Sequence, residues 1–388
     1  MGCTEVKHKQ SIDLLCDNII NACLDAGQKA FPKRSKKNPL APNWKIKIKP
    51  YRDDCLFWGN IWRNCGKPNN GTVCEIYKNT KRNYYKAIRE NKRNIKEAEK
   101  CKIGEAISKN QQRDLWKELS KIKGKHRVSP PNVDGHTSDN DICNVFLNKY
   151  KQLHNSVASD ERQLRHMYES IQLFAGQSDS TEFTASIEKI SECIAKLKKD
   201  KSDGDIGLWS NHLIYAPKAI LTHIALLFTA MMVHGYTPER LLLTTIISII
   251  KDPSKDICSS NNYRGIALSS CLNKLFDIFI LQQYPKCFKT CDLQFAYKTN
   301  HSTSLCTLMM KEIAHYYISK GSQVYSALLD ASKAFDRVRL DKLIELLRVR
   351  ETPSPVMRIL VTTFHRQKVR TTWSKEHSDV FLCTTGLR

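Results

Sequence analysis

The stretch YSALLDASKAFDRV, residues 325–338, carries the reading of the fold. Its first half, preceded by Val324, is a short apolar run of strand length over residues 324–329 that ends on Asp330. A polar turn follows, and residues 341–348 have the spacing of a helix. A carboxylate at the C-terminal end of a buried strand sits where a sheet opens toward solvent, and oxygen ligands there can hold a hard cation such as Mg2+. Phe335 follows five residues later and can fold back over the same place. A single Asp after a strand is also a common turn or cap residue, so its surroundings decide between the two readings.

Those surroundings are a mixed helix and strand pattern. Ile187, Ile190, Ile194 and Leu197 form one helical stripe, and Ile220, Ile224, Leu227 and Met231 form another that should stop at Gly235, with Pro238 beyond it. Residues 241–250 are a β-rich apolar run closed by a Lys251-Asp252-Pro253 turn. Leu272, Leu275, Phe276, Phe279 and Ile280 share one face of a helix over residues 272–284. Upstream, Val145, Phe146 and Tyr150 begin the globular pattern. Residues 127–141 read as a linker by their Pro, Gly, Asn, Asp and Ser content. There is no internal repeat and no heptad pattern.

The first third of the chain differs in kind. The whole chain of 388 residues carries a net charge of +23. Residues 1–130 hold 30 basic and 13 acidic residues, a net of +17, which leaves +6 for the remainder. Residues 1–50 read as a loosely structured basic entry, and residues 55–125 as helical, with Leu115, Trp116, Leu119 and Ile122 on one stripe ending near Gly124. The densest charge is KRNYYKAIRENKRNIK, residues 81–96, in which Lys81, Arg82, Lys86, Arg89, Lys92, Arg93 and Lys96 surround Tyr84 and Tyr85. Cations interleaved with aromatics suit a phosphate backbone with base stacking. A solvated helix face or an anionic membrane surface would use the same charges, but the excess over a whole third of the chain favours nucleic acid.

Composition excludes several classes. Hydrophobic content of 41% rules out disorder throughout. Lys7, Lys9, Asp13 and Asp17 break the N-terminal stretch, so no secretory leader is seen there, an intracellular protein is expected, and the 15 cysteines read as reduced thiols. No CxxC pair is present, and Cys287 with Cys291 lacks a second pair for zinc. The apolar run 224–233 is too short to span a bilayer. Two decoys are set aside: Tyr51-Arg52-Asp53-Asp54, read as a loop, and the Gly66–Gly71 spacing, which lacks the Lys of a P-loop.

Taken in order, these blocks resemble the reverse transcriptases of non-LTR, LINE-type retrotransposons of a jockey-like clade. TEFTASIEKISECIAKLKKDKSDGDIG (181–207), HGYTPERLLLTTIISIIKD (234–252), NYRGIALSSCLNKLFD (262–277), LQFAYKTNHSTS (293–304) and LLDASKAFDRV (328–338) match that family's blocks in its order. FWGNIWRNCGKPNNG and TKRNYYKAIRENKRN are similar to the basic segment that follows its endonuclease. In the third of the five blocks Gly265 and Ala267 stand where the family has Pro and Ser.

The resemblance implies an α+β fold. A helical basic N-terminal segment over residues 1–126, and a linker with the polymerase's N-terminal extension over 127–180, would precede the fingers and partial palm of a right-hand polymerase over 181–388. It implies that Asp330, with the backbone carbonyl of Ala331, would hold the catalytic Mg2+ or Mn2+, because nucleotidyl transfer uses two divalent ions held by carboxylates. Lys251 and Arg264 would approach the triphosphate, and Phe335 would exclude the 2′ hydroxyl of a ribonucleotide. Lys81, Arg82, Tyr84, Lys86, Arg89, Lys92 and Arg93 would hold nucleic acid. The implied partners are an RNA template and a DNA primer or target, with no membrane and no obligate protein partner, in a ribonucleoprotein of nucleus and cytoplasm. The chain stops at Thr385-Gly386-Leu387-Arg388, before the family's Gln-Gly turn and its Tyr-x-Asp-Asp hairpin. A polymerase fragment inactive as this chain is therefore expected, and a non-catalytic nucleic-acid-binding protein is the alternative.

Overall fold

The computed structural model describes residues 6–30, 43–109, 111–122, 130–155, 169, 183–204 and 206–386. Residues 31–42 of the basic entry, the helix end near Gly124 and, apart from residue 169, residues 156–182 lie outside them. The chain divides into two compact units, one of residues Met1–Pro32 with Pro130–Arg388 and one of Lys33–Ser129.

The smaller unit is all helical. A π-helical turn, Trp44–Ile48, leads into α2 (Lys49–Asn64), α3 (Thr72–Ser108) and α4 (Gln112–Ile122), numbered after α1 (Val6–Ala30) of the larger unit. Trp62 of α2 stacks on Tyr77 of α3 at 5.0 Å, and its indole N–H donates to the Pro68 carbonyl at 3.0 Å. The Gly66–Gly71 turn between them uses positive φ at Gly66, Lys67 and Gly71. Tyr51 to Asp54 lie inside α2, so the expected loop there is helix; the apolar residues that follow, Leu56 and Phe57, continue its turns. Trp116 is 65% exposed and so leaves the stripe expected for α4.

The larger unit is α+β. After α5 (Asp139–His154) come α6 (Ile187–Ala195), α7 (Ser210–Ile214), α8 (Lys218–His234) and α9 (Glu239–Leu242). Strand β1 (Leu243–Ile250), a 3₁₀ turn (Ser260–Asn262), β2 (Tyr263–Leu268) and α10 (Cys271–Gln283) follow. The order ends with α11 (Thr303–Ser319), α12 (Leu340–Val349), α13 (Ser354–His365), β3 (Lys368–Trp373), β4 (Glu376–His377) and β5 (Phe381–Leu382). The sheet runs β2-β1-β3-β4, with β5 also on β3. β1 pairs antiparallel with β2, with Ser248 opposite Gly265, and parallel with β3.

Two cores result. α1, α6, α8, α10 and α13 bury Ile20, Ile190, Phe228, Met231, Phe279 and Ile359 together. The Gly235 stop holds: Gly235 adopts φ 55 and its N–H returns to the Met231 carbonyl, closing the last turn of α8 as only an unhindered residue does cheaply. The loosely structured entry expected over residues 1–50 is, over Val6–Ala30, a packed helix. Its Ile12, Cys16, Ile19 and Cys23 recur at helical spacing, and its polar face is tied down. Asp13 accepts from Tyr236 at 2.8 Å, and Asp17 accepts from Arg240 at 3.1 Å. In the second core α5 lies on the sheet, where Phe146, Tyr150, Tyr263 and Trp373 pack together. The linker expected over 127–141 is ordered in its described part: Val133 is fully buried in this core, and α5 begins at Asp139.

The strand expected over residues 324–329 is not formed. Residues 322–331 lie outside every strand and helix, with Tyr325 87%, Leu328 88% and Leu329 99% exposed. Strand composition fixes a strand only when a neighbouring strand and a covering layer accept it, and neither meets this segment among the described residues. α11, just before it, likewise has no buried residue.

Candidate functional site

The site candidates of the larger unit cluster around two turns: the one after β1 and the one after Asp330. α5 braces both. Its Tyr150 ring faces β2 at Gly265, where an added Cβ would lie 2.8 Å from Tyr150 and 2.9 Å from Ile246. That close approach is the physical reason for glycine at a position where the resembled block carries proline. The Tyr150 hydroxyl and Ser248 Oγ are 3.0 Å apart. Burial, with a smaller push from the Asp336 carboxylate, raises the Tyr150 phenol to about 12, so the group stays protonated.

The preceding residue of α5, Lys149, donates from Nζ to the Ser260 carbonyl. Lys251 donates from Nζ to the next carbonyl, Asn261, at 3.0 Å. The Asp134 carboxylate accepts the Ser260 amide at 2.9 Å, and this bond holds its carboxyl below the usual range. Lys333, at φ 55 in the turn after Asp330, acts on Lys149 through its charge. Burial first, then the charges of Lys251 and Lys333, bring Lys149 down to about 8 against the opposing pull of Asp134. Arg264 is exposed, and it stands opposite Ile249 on the strand face that alternates away from Tyr150.

The second turn is clamped from the far end of the chain. Thr385 donates its amide to the His154 carbonyl at 2.9 Å and its hydroxyl to the same oxygen at 2.7 Å, while Gly386 donates to Val338 at 3.0 Å. Gly386 has φ +87, and a Cβ there would meet His154 Nδ1 at 2.9 Å and the Asp336 carbonyl at 3.0 Å. Asp336 thus serves the clamp through its backbone. Phe335 is 58% exposed and meets Tyr297 edge to face at 5.8 Å. Asp330 and Ala331 are exposed. Among the described residues no three His, Cys, Asp or Glu side chains gather at metal-binding spacing. One carboxylate and one carbonyl are too few oxygen ligands for two ions, so the residues present do not by themselves fit a two-ion centre.

In the smaller unit, the seven basic residues over 81–96 are all exposed. At about 100° per residue they fall within an arc of about 140° on α3. Tyr85, 51% exposed, lies within that arc, and Tyr84 lies on another side of the helix, half-buried. Sequence reasoning singled out Lys251, Phe335 and the basic helix. It missed Lys149, Tyr297 and the His154 clamp, for which an isolated Lys, Tyr or His in a polar pattern gives no signal.

Comparison with known proteins supplies the rest. The chain is 24% identical over 241 residues to the RNA-directed DNA polymerase from mobile element jockey of Drosophila funebris, a match covering 58% of this chain and 25% of that protein. The chain is similar to the RNA-directed DNA polymerases of non-LTR retrotransposons. It is 27% identical over 157 residues to the jockey polymerase of Drosophila melanogaster, covering 39% of this chain and 17% of that one. It is 26% identical over 151 residues to a protein named for the type-1 retrotransposable element R1DM of Drosophila melanogaster, covering 39% and 15%. The chain thus spans a quarter or less of the length of these relatives. No protein-family model matches it. Among the described residues, no helix is long and apolar enough to cross a membrane.

Proposed function

We propose that this chain is the fingers and first palm portion, residues 181–388, of a non-LTR retrotransposon reverse transcriptase, led by a basic nucleic-acid-gripping segment. The observation that carries the reading is the ordered set of sequence blocks ending in LLDASKAFDRV, in a chain similar to jockey polymerases. In this reading Asp330 and the Ala331 carbonyl would be one part of a larger set of oxygen ligands for divalent ions, and these two do not make the centre by themselves. Within this chain the supporting parts are the positive charges of Lys251 and the exposed Arg264, the ring of Phe335 against Tyr297, and the cationic arc of α3. The partners in this reading are an RNA template and a DNA primer, in a ribonucleoprotein of nucleus and cytoplasm.

Nucleotidyl transfer needs more than one carboxylate, so the 388-residue chain alone is expected to show no incorporation in a template-primer extension assay with Mg2+ or Mn2+. Robust incorporation would overturn that expectation. For the grip, neutralising Lys81, Arg82, Lys86 and Arg89 together should lower the salt slope of single-stranded RNA affinity by about 2–3, at roughly 0.7 for each phosphate no longer neutralised. An unchanged slope excludes α3 as the RNA-binding helix. The exposure of Asp330 and of the 324–329 segment favours a second reading, a nucleic-acid-binding protein without catalysis.

A further inference from the structure

β2 is the outermost strand of its sheet: its register with β1 runs unbroken from Tyr263 to Leu268, and no other strand meets it among the described residues. In an antiparallel ladder every second residue turns its N–H and C=O away from its partner, so the far side of β2 offers a row of backbone donors and acceptors. The usual devices that blunt such an edge are missing, since β2 contains no Pro, no Lys and no bulge. Residues 324–329 are the converse, a run of strand composition without a ladder. None of residues 323–331 makes a backbone hydrogen bond among the described residues. The charges also correspond: Arg264 is the one charged residue of β2, and Asp330 is the one charged residue of 322–331.

We propose that residues 324–330 of one copy of this chain add as an antiparallel strand to the open edge of β2 in a second copy, with Asp330 opposite Arg264. That register sets Leu328 opposite Ile266, both exposed, on the face that carries Arg264, and sets Leu329 beside Gly265 on the Tyr150 face. A slip of one residue would turn Asp330 to the Tyr150 face, and parallel addition along the whole of β2 would carry it toward Leu268, away from Arg264. Each copy holds one open edge and one unpaired segment, so two copies exchange them reciprocally and close a dimer. The pairing uses neither nucleotide nor metal and goes beyond the polymerase reading.

The test is sedimentation velocity of the full 388-residue chain, freed of nucleic acid by nuclease, at rising micromolar concentration. Wild type should pass from monomer to dimer, and amide exchange in residues 263–268 and 324–329 should slow together as the dimer forms. Leu328→Asp, at an exposed position, should raise the dissociation constant about tenfold by setting a charge opposite Ile266. Arg264→Glu and Asp330→Arg, both at exposed positions, should each weaken the dimer, and the two together should restore it. Non-specific association of apolar surface would show no such rescue. A monomer at every concentration, a dimer that Leu328→Asp leaves intact, or a double variant no stronger than the singles would overturn the proposal. So would slow exchange of both segments at a level independent of concentration, because that places the segment on β2 of its own chain. None of these readouts changes if the polymerase reading fails.

Discussion

Residues 243–250 and residues 324–329 are both short apolar runs of strand composition, but the first is the centre of a sheet and the second has no ladder partner among the described residues. β1 meets β2 on one edge and β3 on the other, and α5 covers its face with Phe146 and Tyr150. Among the described residues the later run has neither neighbour nor cover, and Leu328 and Leu329 are exposed. Each forgoes about 1.5–3 kcal/mol of burial, while ordering a residue's backbone costs about 1–2 kcal/mol. Strand composition is therefore a conditional signal, satisfied only where tertiary structure supplies the ladder.

Truncation on both sides tests this contrast most severely. Phe146→Ala should cost about 3–5 kcal/mol in denaturant unfolding, because its ring is wholly buried among Tyr150, Tyr263 and Trp373. Leu329→Ala should change stability by less than about 0.5 kcal/mol. A comparable loss in the two variants would mean that the 324–329 run is packed in solution. Overpacking gives a smaller effect on the same axis: Gly265→Ala should cost about 1–3 kcal/mol through collision with the Tyr150 ring, whereas Ala at Gly104, where nothing lies within 4 Å, should not destabilise. Brief digestion with chymotrypsin should cut first after Tyr325, Leu328 or Leu329, with β2 protected until global unfolding; early cleavage at Tyr263 would reverse the order.

The smallest effect is electrostatic, at the edge of the well-packed region. Glu239 is partly desolvated, which opposes ionisation, but Lys368 and Arg366 outweigh this and hold its carboxyl below the usual value. A lowered folded value means that the stabilisation is present above the unfolded value of 4.5 and is lost as pH falls through the folded one. Acid titration of unfolding midpoints should therefore show wild type losing its advantage over Glu239→Gln below about pH 4.5. Parallel curves would remove Glu239 from the account.

Much of the helical frame is legible in the chain. The Ile190 and Ile194 stripe, the Gly235 stop and the Leu272–Ile280 face each depend on interactions within a few residues, and all appear as helices where the spacing puts them. The packing of α1 was hidden because its Lys and Asp residues mask the apolar stripe of Ile12, Cys16 and Ile19. At the candidate site, Asp330 and Phe335 are conspicuous in sequence, but Lys149 is one lysine among many until Ser260, 111 residues away, comes beside it.

The order of amino acids was enough to set the helices over 187–195, 218–234 and 271–283 with the Gly235 stop, the concentration of positive charge in the first third, and the ordered blocks similar to those of retrotransposon polymerases. These are local or cumulative properties, encoded in windows of a few residues or in sums over many. Tertiary structure alone decided that 243–250 becomes a strand and 324–329 does not, that Gly265 must make room for Tyr150, and that Lys149 and Lys251 share one turn. Each of those outcomes depends on which distant surfaces come together, and pairing across a hundred residues is set by packing and ladder formation that no local pattern specifies.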